Sequence, residues 1–103
     1  MTQPYTYIWA FRVHAQHVAA FREHYGESGA WVRLFRRAPG YVGTQLLQDR
    51  SDPLRFVTID TWRSAADYEA FRASYAAEYD AIDRLCEGFT SEETLIGKFA
   101  PQR

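Results

Sequence analysis

The chain has 103 residues, 47% of them hydrophobic and 17% aromatic, with a net charge of -1. That is enough for one domain over residues 1–103 with its own core, and no charge excess draws a polyanion, so nucleic acid is not an expected partner. Cys86 is the only cysteine, which rules out an internal disulfide; with no apolar run long enough for a membrane span or leader, a soluble cytoplasmic protein is expected.

The first strand is predicted over Tyr5 to Val13. Its odd positions, Tyr5, Tyr7, Trp9, Phe11 and Val13, are all apolar, and its even positions are mixed. Such a strand is covered on both sides, by helices on one and by a second subunit on the other. A helix follows from about Gln16 to Tyr25, with Val18, Phe21 and Tyr25 inward and Gly26 as its stop. Ser28 is expected to cap a short second helix from Gly29 to about Arg37, with Trp31, Leu34 and Phe35 inward. Pro39-Gly40 breaks the chain before strand two, Tyr41 to about Asp49, in which Gly43 points to a bulge or a close backbone approach. A turn over Arg50-Ser51-Asp52-Pro53 leads to strand three, Leu54 to Trp62, and closes a hairpin. Ser64, with Asp67 three residues on, resembles a capping box. The helix it opens has apolar residues at 68, 71, 75, 79, 82, 85 and 86, ends near Gly88, and is expected to kink near Ala77. The last strand spans about Glu92 to Phe99.

The order is an α+β, ferredoxin-like (split βαβ) pattern: an antiparallel sheet with helices on one face and strands one and three in the centre. The open sheet face would be apolar and wet in a monomer, so a C2 homodimer packed sheet on sheet is expected.

Residues 56–71, FVTIDTWRSAADYEAF, carry the most information. Phe56, Thr58, Asp60 and Trp62 share one face of a strand that runs straight into a helix bearing Tyr68, Phe71 and Tyr75 on one side. Trp62 and Tyr68 therefore converge between sheet and helix, where a small domain either packs core or opens a pocket.

These residues, with YGESGAWVRLF (25–35), APGYVGTQLLQD (38–49) and IGKF (96–99), resemble the antibiotic biosynthesis monooxygenase (ABM) superfamily. The resemblance implies a dimeric α/β barrel with one pocket per subunit. Its cofactor-free, quinone-forming branch uses a Trp, a Tyr, an Asn and an Arg. Trp62 and Tyr68 match the first two. The chain contains no Asn, so Thr58 stands nearest to that position, and Arg84 is the rough counterpart of the Arg. The haem-degrading branch needs a helical Trp and a His where this chain has Phe71 and Ala81, so haem degradation is not expected.

The expected chemistry is cofactor-independent oxidation of a small aromatic or polyketide-like compound, with no cofactor and no metal. Trp62, Tyr68 and Asp60 are the candidate catalytic residues: Trp62 as stacking wall, Tyr68 as orienting donor, and Asp60, or a histidine in its place, as base. Trp9, Trp31, Phe35, Thr58, Phe71 and His17 are the candidate substrate contacts. The competing reading packs Trp62 and Tyr68 into the core and leaves a binding or stress-related barrel without catalysis. No HxxxH pair is present, and Cys86, near a helix C-terminus, reads as packing.

Overall fold

The computed structural model describes residues 2–102. Four strands, β1 (Tyr5–Val13), β2 (Tyr41–Asp49), β3 (Asp52–Trp62) and β4 (Thr90–Phe99), form one antiparallel sheet in the order β2-β3-β1-β4. Helices α1 (Val18–Tyr25), α2 (Ala30–Phe35), α3 (Ala65–Ser74) and α4 (Ala76–Cys86) fill the two crossovers. This is the ferredoxin-like arrangement, with β1 and β3 in the centre. Phe56, Thr58, Asp60 and Trp62 are all buried on the helix side of β3. The core there is largely aromatic: Phe21 stacks on Tyr25 at 4.2 Å, and Trp62 lies 5.0 Å from Phe71 and 5.7 Å from Phe35.

Several boundaries differ from expectation, each for a local reason. The first helix is split: Ala15–His17 is a 3-10 turn, and the α-helix begins at Val18. Ser28 does not cap α2. Gly29 is the residue before the helix, and a side chain there would collide with the last carbonyls of α1, so glycine lets α2 begin against the end of α1. The hairpin turn is only Arg50-Ser51, because Asp49 accepts the Ser51 N–H at 2.8 Å; β3 therefore begins at Asp52, with Pro53 inside it. The long helix breaks at Tyr75, two residues before Ala77. There the Tyr75 hydroxyl donates to the Arg37 carbonyl at 3.2 Å, tying the break to the end of α2. Gly88 lies within a 3-10 turn, Glu87–Phe89, and β4 starts at Thr90, paired with Val13.

The capping box is half formed. Ser64 Oγ accepts the Asp67 N–H at 3.1 Å, while the Asp67 carboxylate turns away to Arg63 Nε at 2.8 Å. Gly40, at φ 91°, makes the left-handed turn into β2 and packs against Asp67.

Two bulges position the site. Pairing on β2 skips a residue between Tyr41 and Gly43, which turns both Tyr41 and Thr44 toward the helices; strict alternation would separate them. Pairing on β4 skips a residue opposite Ile8 and Trp9, which brings Leu95 opposite Trp9 and Glu93 opposite Phe11 on the helix side.

Candidate functional site

Between the sheet and the helices lies a cavity of about 320 Å³. Its floor is Tyr7, Trp9 and Phe11 of β1, Thr44 of β2, Thr58 and Asp60 of β3, and Glu93 of β4. Tyr25 of α1, Trp31 and Phe35 of α2, Arg72 of α3, and Tyr79 and Asp83 of α4 enclose it from the helix side. Asp60 is at the buried end. Arg72, Asp83 and Glu93 are exposed and surround the opening.

Asp60 is the distinctive group. It is 6% exposed, and burial raises its carboxyl to about 6, with the Thr44 hydrogen bond pulling the other way. Thr44 Oγ1 donates to Asp60 Oδ1, and Thr44 in turn accepts the Tyr41 hydroxyl at 2.8 Å. One carboxylate oxygen, Oδ1, is thus held by a two-hydroxyl chain. The surrounding phenols do not compete as bases. Burial lifts Tyr79 to about 12, and burial followed by the Asp60 charge raises Tyr7 further.

Of the expected site residues, Asp60, Trp9, Trp31, Phe35 and Thr58 meet around this cavity. Trp62, Tyr68, Phe71 and His17 do not line it. Trp62 is fully buried one layer behind, where its indole Nε1 donates to the Tyr7 hydroxyl at 3.3 Å. Tyr68 packs on Tyr7 with ring centres 5.0 Å apart, and its hydroxyl accepts from Arg72 Nη1 at 3.2 Å. Both touch the cavity through a neighbour. Phe71 is core. His17 packs on Phe89 at 5.7 Å, and His24 stands by the same ring at 5.2 Å, away from Asp60. The Arg84 guanidinium is 3.5 Å from the Asp80 carbonyl of its own helix and does not line the cavity. The arginine that does is Arg72, laid over the Tyr79 ring at 3.9 Å.

Sequence reasoning missed Tyr7, Phe11, Tyr25, Thr44, Arg72, Tyr79, Asp83 and Glu93. Arg72 had a signal, one helical turn after Tyr68. Thr44 had only an indirect signal, the neighbouring Gly43, and Glu93 had none, because each faces the cavity through a bulge. Among the described residues no three His, Cys, Asp or Glu side chains are grouped to hold a metal ion, and no helix is long and apolar enough to cross a membrane.

The fold is shared with solved structures of low sequence identity. PA3566 from Pseudomonas aeruginosa superposes with TM-score 0.77 at 22% identity, covering 100% of this chain and 98% of that one. Rv0793 from Mycobacterium tuberculosis gives 0.76 at 17%, covering 97% and 96%. A variant of SnoaB, a cofactor-independent oxygenase from Streptomyces nogalater, gives 0.72 at 20%, covering 99% and 96%. No curated protein matches the sequence. The antibiotic biosynthesis monooxygenase family matches residues 4–82, most of the chain, and the protein belongs to that family.

Proposed function

We propose that this protein is a cofactor-independent oxygenase acting on a small, electron-rich aromatic such as an anthrone or a phenol. The observation that carries the reading is Asp60: a buried carboxylate with one oxygen anchored by Thr44 and the other open to an aromatic-walled cavity. With its carboxyl near 6, it is mostly ionised at pH 7 yet basic enough to take a proton from an acidified substrate. In the proposed reaction Asp60 Oδ2 accepts the proton from the substrate hydroxyl or activated C–H. The resulting anion transfers an electron to dioxygen, and the radical pair combines to a peroxide anion. Protonated Asp60 returns its proton to that anion, and loss of water from the hydroperoxide, taking the remaining hydrogen of the oxidised carbon, leaves a quinone and the free carboxylate.

Arg72, on the cavity wall, would steady negative charge delocalised toward the outer end of the substrate anion. Trp9, Trp31 and Phe35 supply flat walls that exclude water. Trp62 and Tyr68 are positioning residues in this scheme, acting through Tyr7 and Arg72. Thr58 fills the place of the absent Asn and lines the cavity without ionising. The family relationship and the likeness to a cofactor-independent oxygenase support this reading. The test is oxygen consumption by purified protein with anthrone under air. Uptake above the buffer rate is expected, and uptake no greater than that of the Asp60→Asn variant sinks the scheme.

The protein is further proposed to work as one domain and as a homodimer. Ile8, Ala10, Val57 and Ile59 lie on the sheet face away from the helices, and Leu47, opposite Val57, adds a 48% exposed leucine. An apolar face of this kind is a subunit interface in wait of its copy. A second reading, a binding barrel without catalysis, is favoured by the complete burial of Trp62 and Phe71. A flat pH dependence of ligand handling is its signature.

A further inference from the structure

Asp60 has a second neighbourhood besides the cavity, at the β2 edge of the sheet. Val42 is the extra residue of the β2 bulge, so Tyr41 and Thr44 both turn inward, and Thr44 stands directly opposite Asp60. Thr44 Oγ1 donates to Asp60 Oδ1 and accepts the Tyr41 hydroxyl at 2.8 Å. The Tyr41 ring is wedged against Phe35 at 5.6 Å and Trp62 at 5.5 Å, which holds its hydroxyl at Thr44. Tyr41 and Thr44 also line a separate depression of about 500 Å³, together with Glu27, Arg36, Val42 and Gly43. Glu27, Arg36 and Val42 are exposed, so this depression meets solvent. Among the described residues, Thr44 alone lines both spaces.

Three oxygens in line, Asp60 Oδ1, Thr44 Oγ1 and Tyr41 Oη, thus lead from a buried carboxylate to the wall of the outer depression without crossing the cavity. An ionised carboxylate only accepts, so Thr44 must spend its one hydrogen on Asp60, and Tyr41 its own on Thr44. With a hydrogen on Oδ1 the order reverses: Asp60 donates to Thr44, Thr44 to Tyr41, and Tyr41 to water. The chain therefore has two directions, one for each protonation state of Asp60.

We propose that Thr44 and Tyr41 form a proton relay through which Asp60 exchanges its proton with solvent at the β2 edge while a substrate fills the cavity. The inference rests on Asp60 being the base of the oxidation proposed above, and both hydroxyls are positioning groups that act through it. In release, the O–H bond at Asp60 Oδ1 breaks as one forms at Thr44 Oγ1. The Thr44 hydrogen passes to Tyr41 Oη, and the Tyr41 hydrogen to a solvent water. One proton leaves Asp60, one reaches solvent, both hydroxyls stay neutral and no electron moves; uptake is the reverse. A substrate that arrives on protonated Asp60 then meets a carboxyl that regains its base form without the complex falling apart. The groups facing the chain are Tyr7, Tyr79 and Arg72 on the cavity side, with Asp83 and Glu93 at the opening, and Glu27 and Arg36 on the outer side. Burial raises the Tyr7, Tyr41 and Tyr79 phenols, so each keeps its hydrogen while Asp60 titrates.

Carbon-13 NMR with labels at tyrosine Cζ and aspartate Cγ tests the chain without any substrate. Tyr41 Cζ is expected to move with the Asp60 midpoint, near 6, as its hydroxyl turns from donating to Thr44 to accepting from it. Thr44→Val keeps the Asp60 charge and cuts the chain, so the Tyr41 movement should fall at least about threefold, and Thr44→Ser should restore it. Passage through the chain is read from anthrone oxidation at about half a pH unit below the Asp60 midpoint of each protein, where protonated fractions match. The parent rate should saturate with anthrone, whereas excess anthrone should inhibit Thr44→Val at least about threefold by trapping protonated Asp60, and Thr44→Ser should be free of that inhibition. The relay is overturned if Tyr41 ignores the Asp60 midpoint, if Thr44→Val leaves the Tyr41 movement unchanged, or if excess anthrone affects parent and Thr44→Val alike. A parent that consumes no oxygen overturns the oxidation, and the NMR titration then decides the relay by itself.

Discussion

Replacing Asp60 with Asn should make the protein more stable, and only above mild acidity. An unfolded Asp titrates at the ordinary 3.8, whereas the native Asp60 titrates at about 6. Below 3.8 both states are protonated and Asp60 costs nothing. Between 3.8 and about 6 the unfolded chain releases its proton while the native state keeps it, so stability falls as pH rises. Above about 6 the native carboxylate is ionised and the penalty is constant. A shift of about 2 units corresponds to about 3 kcal/mol. That shift already sets the Thr44 hydrogen bond against burial, and an amide oxygen accepts from Thr44 as the protonated carboxyl does. The expected net gain for Asp60→Asn is therefore about 3 kcal/mol at pH 7.5 and under about 1 kcal/mol at pH 4. Urea melts of both proteins across this range measure the difference directly, and other titrating groups largely cancel in it. A variant that is less stable than the parent at pH 7.5, with an unchanged pH slope, would refute the claim that burial holds the Asp60 carboxyl at about 6.

Thr44→Val removes the hydroxyl that anchors Asp60, and should raise its midpoint by about one pH unit in a carboxyl-carbon NMR titration, with Thr44→Ser restoring it; an unmoved midpoint means the bond contributes nothing. Phe71→Ala, which empties a fully buried position against Trp62 and Phe35, should cost about 3–5 kcal/mol in a urea melt, and a loss under 1 kcal/mol would contradict the tight aromatic core. The parent protein should sediment as a dimer at micromolar concentration and Leu47→Asp as a monomer; a parent that is monomeric removes the sheet-on-sheet interface.

The sequence carried the fold well because its signals are periodic. Alternation on β1 and β3 and the 3–4 spacing from Tyr68 to Cys86 are read from residue types alone, and the structure keeps the order they imply. Asp60 was legible for the same reason, lying two residues before Trp62 on the buried face of β3. What escaped depends on register. A bulge after Tyr41 turns Thr44 inward, and a skip along β4 turns Glu93 inward; no residue type announces either flip, although Gly43 marked where the first would occur. Trp62 and Tyr68 were legible as residues of the joint between sheet and helix, but their depth was not. An indole fully enclosed by Phe35, Tyr41, Tyr68 and Phe71 differs from a pocket wall only in packing, which spacing along the chain does not encode.

The central claim is that Asp60 removes a proton from an aromatic substrate inside this cavity. The pH dependence of anthrone-driven oxygen consumption tests it most directly. The account predicts that kcat/KM rises with pH through a midpoint near 6, where Asp60 becomes the free base, and that Asp60→Asn loses at least about 100-fold of the rate with no such limb. A flat profile, or a rate in the Asn variant equal to that of the parent, would contradict it.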